Sequence, residues 1–435
     1  MDVLIQPGQV LRMERGEALV TVGECIGQGG QGVVHRARLG SALFAVKWIR
    51  PGPSEAETRE SVAALLRRGQ PPHQAFAWPI DIVTAQETPG FGYVMPLLEP
   101  RFISVPQVLN ADIQPSFRGL AALGRELVDA FAALHSSGLC YRDISFGNLR
   151  VDPVSQQVAI IDVDNIGIDG GDALVKGTGP FMAPEVLREE AMPSTVTDLH
   201  SLAVLLFYLL VHGHPLVGER ADAYYNWAAG HLSETEVTVR NFGTHPLFVF
   251  DPDDASNRPL PDDPVRVWWS IYPRHCQQVF TQAFTTGLRD ATLYGRVKEG
   301  TWRRTLLRLH DAVTFCLDCG AEAFHDPQRP GYPCWQCQAA LADPPRLQAP
   351  GGTLVLSDGA RVTPHHLFRD RDHRTTLATV SPHPAEPGRL VMRNLTSEAW
   401  TVAPDGEPPK PVHPGQRLAV RPMHIDFGGV TARID

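Results

Sequence analysis

One stretch constrains this chain more than any other: Tyr141-Arg142-Asp143-Ile144-Ser145-Phe146-Gly147-Asn148, then Val158-Ala159-Ile160-Ile161, then Asp162-Val163-Asp164. An acid and an amide five residues apart sit in a polar loop, a short apolar strand follows, and a second acid stands at its end. That order suits a loop in which Asp143 orients a hydroxyl nucleophile and takes its proton, while Asn148 and Asp162 hold a divalent metal on a triphosphate. Carboxylate and carboxamide oxygens suit Mg²⁺, which keeps waters and substrate phosphates as its other ligands. Taken alone, the same residues also read as a solvated loop whose Asp and Asn cap turns. The rest of the chain has to discriminate.

Upstream, Val20-Thr21-Val22 leads into Gly27-Gln28-Gly29-Gly30-Gln31-Gly32-Val33-Val34, and a second strand-like run covers His35 to Leu39. Glycines at 27, 29 and 32 let the backbone amides of a hairpin close over phosphates without Cβ clashes. A dinucleotide-binding turn needs a helix directly afterwards. Here β-branched Val33-Val34 continues the strand, which favours the hairpin. The strand from Leu43 to Ile49 sets Lys47 in an apolar run. Lys47 is either a surface lysine on an edge strand or the group that pairs α- and β-phosphates and is itself held by a helical carboxylate.

Ser54 reads as the cap of the next helix, with acids in its first turn. Glu57 and Glu60 are both candidate partners for Lys47; Glu60, one turn before Ala63-Ala64-Leu65-Leu66, is the expected one. Phe91 to Leu98 reads as a strand ending in a hinge, with Met95 backing a base pocket and the Leu98 backbone meeting the base edge.

Phe117 to Ser136 has helical periodicity. After Asp162 come Gly177-Thr178-Gly179-Pro180-Phe181-Met182-Ala183-Pro184-Glu185, then Asp198-Leu199-His200-Ser201-Leu202 opening an apolar helix that Gly213-His214-Pro215 ends. With these motifs in this order, residues from about 14 to 311 closely resemble a eukaryotic-like Ser/Thr protein kinase of the bacterial type. The resemblance implies a bilobal domain over 1–311, with lobes at about 14–98 and 99–311, that uses ATP and Mg²⁺. It implies that Gly27, Gly29 and Gly32 cover the phosphates, and that Val34, Ala45, Met95, Leu98 and Leu149 surround the nucleotide. Lys47 and Glu60 would form an ion pair, Asp143 would be the base, and Asn148 and Asp162 would bind Mg²⁺. Glu185 would pair with Arg296, Asp198 would tie down the catalytic loop's backbone, and Thr178 would line the acceptor site.

The departures from the family pattern also carry expectations. Tyr141 stands where the family has His and Val163 where it has Phe, both packing positions. Ser145 replaces a Lys that contacts the transferring phosphate; losing a comparable preorganised donor costs roughly 10²–10³ in rate, so turnover is slow or another group substitutes. Arg150 replaces the apolar adenine floor, and its methylene stem could cover the base. Arg142 is the residue that often pairs with a phosphorylated activation segment, yet no Ser or Thr lies between Asp162 and Thr178. The region from about 216 to 272, rich in Pro, Asp and aromatics, is longer than a minimal lobe needs and reads as a modified substrate-side subdomain.

Seven cysteines are present, three scattered (Cys25, Cys140, Cys276) and four in two pairs, Cys316-Leu317-Asp318-Cys319 and Cys334-Trp335-Gln336-Cys337. Doubled two-residue spacing lets four thiolates reach one tetrahedral Zn²⁺ at about 2.3 Å. A redox dithiol and a rubredoxin-like iron site are the alternatives. All-cysteine ligation leaves no open position, so the expected role is a structural zinc ribbon over 312–340 that folds with its metal. This pattern fits a reducing cytosol better than a disulfide framework. His325 reads as a surface histidine rather than a ligand, and His365-His366 with His373 and His383 as scattered surface histidines, with a metal set the alternative.

Residues 341–352 read as a linker, and short strands separated by turns follow: 353–356, 377–380, 389–392, 399–402, 417–420 and 424–427. They predict an all-β sandwich over 353–435. Its second half faintly resembles a forkhead-associated domain, though the arginine-serine phosphate-binding motif is not evident. The expected fold class is therefore α+β: a bilobal protein-kinase-like fold, a four-cysteine zinc ribbon and a small all-β sandwich.

The net charge of −9 gives no basic footprint for nucleic acid or anionic lipid. The N-terminus shows no signal peptide, and the apolar run Leu202 to Val211 is half a membrane span and reads as a buried helix. The first functional expectation is a cytoplasmic ATP-dependent kinase acting on Ser/Thr hydroxyls of a protein substrate, targeted by its ribbon and sandwich. Its resemblance to bacterial kinases encoded beside a metal-dependent protein phosphatase and a von Willebrand A-type protein implies those as partners. The alternatives are a nucleotide-binding pseudokinase scaffold and a small-molecule kinase.

Overall fold

In the computed structural model, residues 5–16, 18–110, 115–171, 177–386 and 388–435 are described. Residues 1–4 of the N-terminal reading and 172–176 of the segment before Thr178 lie outside them.

Strands β1 (Val10–Met13), β2 (Leu19–Gln28), β3 (Gly32–Leu39), β4 (Ala42–Ile49), β5 (Asp81–Thr84) and β6 (Gly92–Pro96) close an antiparallel barrel in the order β1-β2-β3-β4-β6-β5. Side chains alternate across each strand. One face of β3, β4 and β6 therefore carries Val33, Val46, Trp48 and Val94 into a core shared with Leu11, Val20 and Val22. The opposite face carries Val34, Ala45, Lys47, Tyr93 and Met95: Val34 and Tyr93 both stand across from Lys47, and Met95 stands across from Ala45. The hairpin between β2 and β3 needs its last glycine for a steric reason. A Cβ on Gly32 would lie 2.1 Å from the Trp48 carbonyl oxygen, whereas one on Gly29 would meet nothing within 4 Å.

Helix α1 (Glu55–Arg68) buries Val62, Leu65 and Leu66. Ser54 precedes it with no side-chain cap bond, contrary to the sequence expectation; its carbonyl instead accepts from the Thr58 hydroxyl at 2.9 Å. The helix over Phe117–Ser136 spans the residues its periodicity marks.

Next comes an antiparallel hairpin of Leu149–Asp152 and Gln157–Ile160, in which Leu149 faces Ile160. Its register sets Asn148 across from Ile161, the residue before Asp162, and the Ile161 amide donates to the Asn148 carbonyl at 3.0 Å. The helix Thr195–Val211 starts three residues earlier than Asp198, at a Ser194 cap bonded to the Thr197 amide, and is buried almost all round. Among the described residues, no helix is long and apolar enough to cross a membrane.

The chain divides into two compact units: 1–115, 123–265 and 279–303 form the first, and 116–122, 266–278 and 304–435 the second. The boundary therefore does not fall simply at residue 311. Two short helical segments that the sequence assigns to the kinase-like part pack within the second unit. Phe117 stacks on Phe324 with ring centres 4.8 Å apart, and Tyr272 lies 5.3 Å from the same ring.

The second unit ends in a six-stranded and a four-stranded antiparallel sheet sharing one core around Leu347, Leu356, Val380, Met392, Trp400 and Ile425. The linker reading of 341–352 needs correction. Arg346–Ala349 is a strand, pairing with both Gly352–Val355 and Thr431–Ile434, and Leu347 is fully buried. Flanking Pro and Gly concealed it. His366 is likewise not a surface residue: it is buried, 3.2 Å from the Asp311 carboxylate.

Candidate active site

Lys47 is 4% exposed on the barrel face opposite the core. Its ammonium donates to both carboxylate oxygens of Asp164 at 2.9 and 3.0 Å and lies 3.2 Å from Asp162 Oδ1. Gln31 Oε1 is a further acceptor at 3.4 Å. Burial alone would lower the Lys47 pKa, but the charges of Asp164 and Asp162 outweigh it and the net shift is upward. The Tyr93 hydroxyl donates to Asp164 at 2.8 Å.

The two acids, one residue apart, face different surroundings. The Asp164 side chain is 1% exposed, and that of Asp162 is 32% exposed. Burial raises the Asp162 pKa, with Asp164 and Asp143 adding to the rise against the pull of Lys47. Asp162 sits at φ 55, ψ 47, a left-handed backbone that non-glycine residues seldom adopt and that recurs at functional sites.

The expected Lys47–Glu60 pair is absent. Glu60 is exposed and pairs with Arg67. The reason is the phase of α1: the side chains in line with its buried Val62, Leu65 and Leu66 one turn earlier are Thr58 and Arg59, not an acid. Glu57 is exposed as well. The helix packs on the turn Val163–Asn165, and that turn supplies the carboxylate.

Asp143 Oδ1 accepts from the Thr178 hydroxyl at 2.7 Å, and Oδ2 accepts from Asn148 Nδ2 at 2.9 Å. The same Nδ2 donates to the Asp143 carbonyl at 2.9 Å, which leaves the Asn148 amide oxygen as its cation-seeking end. Behind the loop, Asp198 accepts from the Tyr141 amide at 2.5 Å and the Arg142 amide at 3.0 Å. His135 reaches Asp198 at 3.1 Å through Nε2 and Glu299 through Nδ1. Tyr141 is fully buried, its hydroxyl donating to the Ile161 carbonyl and its ring packed on Phe76 and Phe131.

Arg142 has φ 75, and its guanidinium lies against Gly167, where any Cβ would come within 2.6 Å of three guanidinium atoms. Its Nη2 donates to the Ile168 carbonyl at 3.4 Å. Arg150 Nη1 turns back to the Gly147 and Leu149 carbonyls at 2.9 and 2.8 Å. Ser145 and Leu149 are buried, and Leu98 is half-buried just beyond β6. Arg296 Nη2 meets both oxygens of Glu185 at 2.7 Å.

Sequence reasoning missed Asp164, Tyr93 and His135. Two signals pointed at the first pair. Asp164 stands at the last position of Asp162-Val163-Asp164, where the corresponding D-F-G motif has glycine. Tyr93 shares the strand face of Met95 by simple alternation.

In the second unit, the four cysteines form two like knuckles. The Cys316 amide donates to the Ala321 carbonyl at 2.8 Å and the Cys334 amide to the Ala339 carbonyl at 2.7 Å. The residue after each second cysteine is left-handed, Gly320 (φ 75) and Gln338 (φ 63). All four sulfurs lie within 4.8 Å of one another, with Cys316–Cys337 at 3.6 Å and Cys319–Cys334 at 3.7 Å. Tetrahedral zinc with bonds of about 2.3 Å needs sulfurs about 3.8 Å apart, so the donor set and its spacing fit that ion. His325 is not among the clustered donors.

A lysine on the outer face of a small barrel, meeting a loop-borne acid–amide–acid set, defines the kinase-like class. The family model described as a protein kinase domain matches residues 20–245. The chain belongs to that family. Its curated relatives include CBL-interacting protein kinase 3 of Oryza sativa subsp. japonica, 30% identical over 24% of this chain and 25% of that protein. Serine/threonine-protein kinase sck2 of Schizosaccharomyces pombe is 31% identical over 23% of this chain. The chain matches only 16% of the length of sck2. Among solved structures it is similar to the autoinhibited serine kinase domain of the giant muscle protein titin, with TM-score 0.47 and 16% identity, over 66% of this chain and 78% of that one.

Proposed function

We propose that the protein is an ATP-dependent protein kinase that transfers the γ-phosphate to Ser or Thr hydroxyls. The observation that carries this reading is the convergence of two bonded sets, Lys47 with Asp162 and Asp143 with Asn148 and Thr178, joined where the Ile161 amide meets the Asn148 carbonyl. Asp143 is the base: with Thr178 on one oxygen and Asn148 on the other, its carboxylate is held in a fixed rotamer to orient an acceptor hydroxyl and take its proton. Lys47 holds the α- and β-phosphates, and Gly27, Gly29 and Gly32 place backbone amides above them. Val34, Ala45, Met95, Leu98 and Leu149 flank the base. Asn148 and Asp162 hold Mg²⁺, which supplies neutralisation of developing phosphate charge.

A second reading, a nucleotide-binding scaffold without transfer, is favoured by one feature: Ser145 leaves no cation at the lysine position of the loop, while Arg150 is spent on the Gly147 and Leu149 carbonyls. The cysteine cluster is assigned to structural Zn²⁺ and the two-sheet C-terminal domain to docking or regulation, in a reducing cytoplasm. A metal-dependent phosphatase and a von Willebrand A-type protein are the proposed partners on the strength of the sequence resemblance.

The test uses purified full-length protein with labelled ATP and Mg²⁺ beside Asp143→Asn. Labelling by the wild type that disappears in the variant supports the kinase. Nucleotide-induced thermal stabilisation of both proteins with labelling in neither supports the scaffold.

A further inference from the structure

We infer that Asp164, not a carboxylate of helix α1, is the residue that positions Lys47 for the nucleotide phosphates, and that α1 is thereby relieved of that task. The inference rests on the nucleotide-binding reading of the site.

Three observations carry it. First, Asp164 meets Lys47 with both oxygens, at 2.9 and 3.0 Å, and both side chains are at least 95% buried. Second, Asp164 is itself fixed from another side by Tyr93, a fully buried residue on the strand face that presents Lys47. Third, no acid of α1 reaches Lys47, whose ammonium meets Asp164, Asp162 and Gln31. The helix's inward positions beside Val62 are Thr58 and Arg59, the former bonded to the Ser54 carbonyl and the latter to Glu14.

The two acids of Asp162-Val163-Asp164 therefore divide the work. The more exposed Asp162, which touches the ammonium through one oxygen at 3.2 Å, is the metal ligand, and the buried Asp164, which meets the ammonium with both oxygens, is its anchor. In the general kinase arrangement, the lysine's partner rides on a mobile helix, and placing that helix is a step of control. Here the metal ligand and the lysine's partner ride on one turn.

The test compares Mg²⁺·ATP affinity, read with a fluorescent ATP analogue, in wild type, Asp164→Asn, the double variant Glu57→Gln/Glu60→Gln, and the relocation variant Asp164→Gly/Thr58→Glu. Each is checked for an unchanged melting temperature without nucleotide. A charge-assisted bond of this kind, when removed, should weaken nucleotide affinity about tenfold or more in Asp164→Asn. The Glu57/Glu60 double variant should stay within about twofold of wild type. Thr58→Glu puts a carboxylate on the inward face of α1 and should restore part of the affinity lost with Asp164, which a merely structural role for Asp164 would not allow.

Two outcomes overturn the inference while leaving the kinase reading standing. One is wild-type affinity in Asp164→Asn; the other is loss of affinity in the Glu57/Glu60 variant with Asp164 intact. Absence of nucleotide binding by wild type overturns both.

Discussion

At the scale of single residues, the glycine hairpin separates two kinds of requirement. Gly32 is sterically closed by the Trp48 carbonyl, while Gly29 is open. Gly32→Ala is therefore expected to behave as overpacking against a rigid backbone, costing about 1–3 kcal/mol and several degrees in melting temperature. Gly29→Ala should melt like wild type and show its effect, if phosphates pass beneath it, only in nucleotide affinity. Calorimetry and nucleotide titration of the two variants check both statements. The same scale shows where sequence reading falls short. A strand lysine announces that it needs an acid, but which acid depends on a helix's rotation about its own axis. Glu60 lies in the right helix on the wrong side of it, and no local pattern of Glu55–Arg68 fixes that rotation to within one residue.

At the scale of elements, the strands were legible because alternation in β3, β4 and β6 already sorts Val46 and Trp48 from Ala45 and Lys47. That Asn148 comes back to the residue before Asp162 was legible because one short hairpin must return the chain between them. His135 was not, because its two acids come from residues 63 and 164 positions away. Its pH consequence can be worked out. Burial works against the charged ring, but Asp198 and Glu299 outweigh it and raise the pKa to about 9. A group whose pKa is raised on folding stabilises fully below its unfolded value, near 6.5, and loses that contribution as pH rises through the folded value. Thermal stability should therefore fall between about pH 6.5 and 9, and His135→Gln should flatten that part of the profile while lowering stability at neutral pH. Melting curves across this range decide it. Because Asp198 also holds the Tyr141 and Arg142 amides, the loop carrying Asp143 should loosen over the same interval.

At the scale of the whole molecule, the four-cysteine cluster predicts one zinc per chain by elemental analysis. Cys319→Ser or a strong chelator should remove it and expose thiols to a titrating reagent. The loss should unfold the knuckles first, since so small a segment folds with its metal. The sandwich strands were mostly visible as periodic short runs, but Arg346–Ala349 was lost to its Pro/Gly surroundings, and only its long-range pairing with Thr431–Ile434 defines it.

The stacking of Phe117 and Tyr272 on Phe324 has a practical corollary. A chain ended at residue 311 would strip those two rings of the surface they cover and leave a bare aromatic patch in water. The tail is thus no detachable cassette that could be exchanged among relatives. A truncated form is expected to clump rather than act as a minimal catalyst, so inheritance should have kept the three pieces of the second unit together.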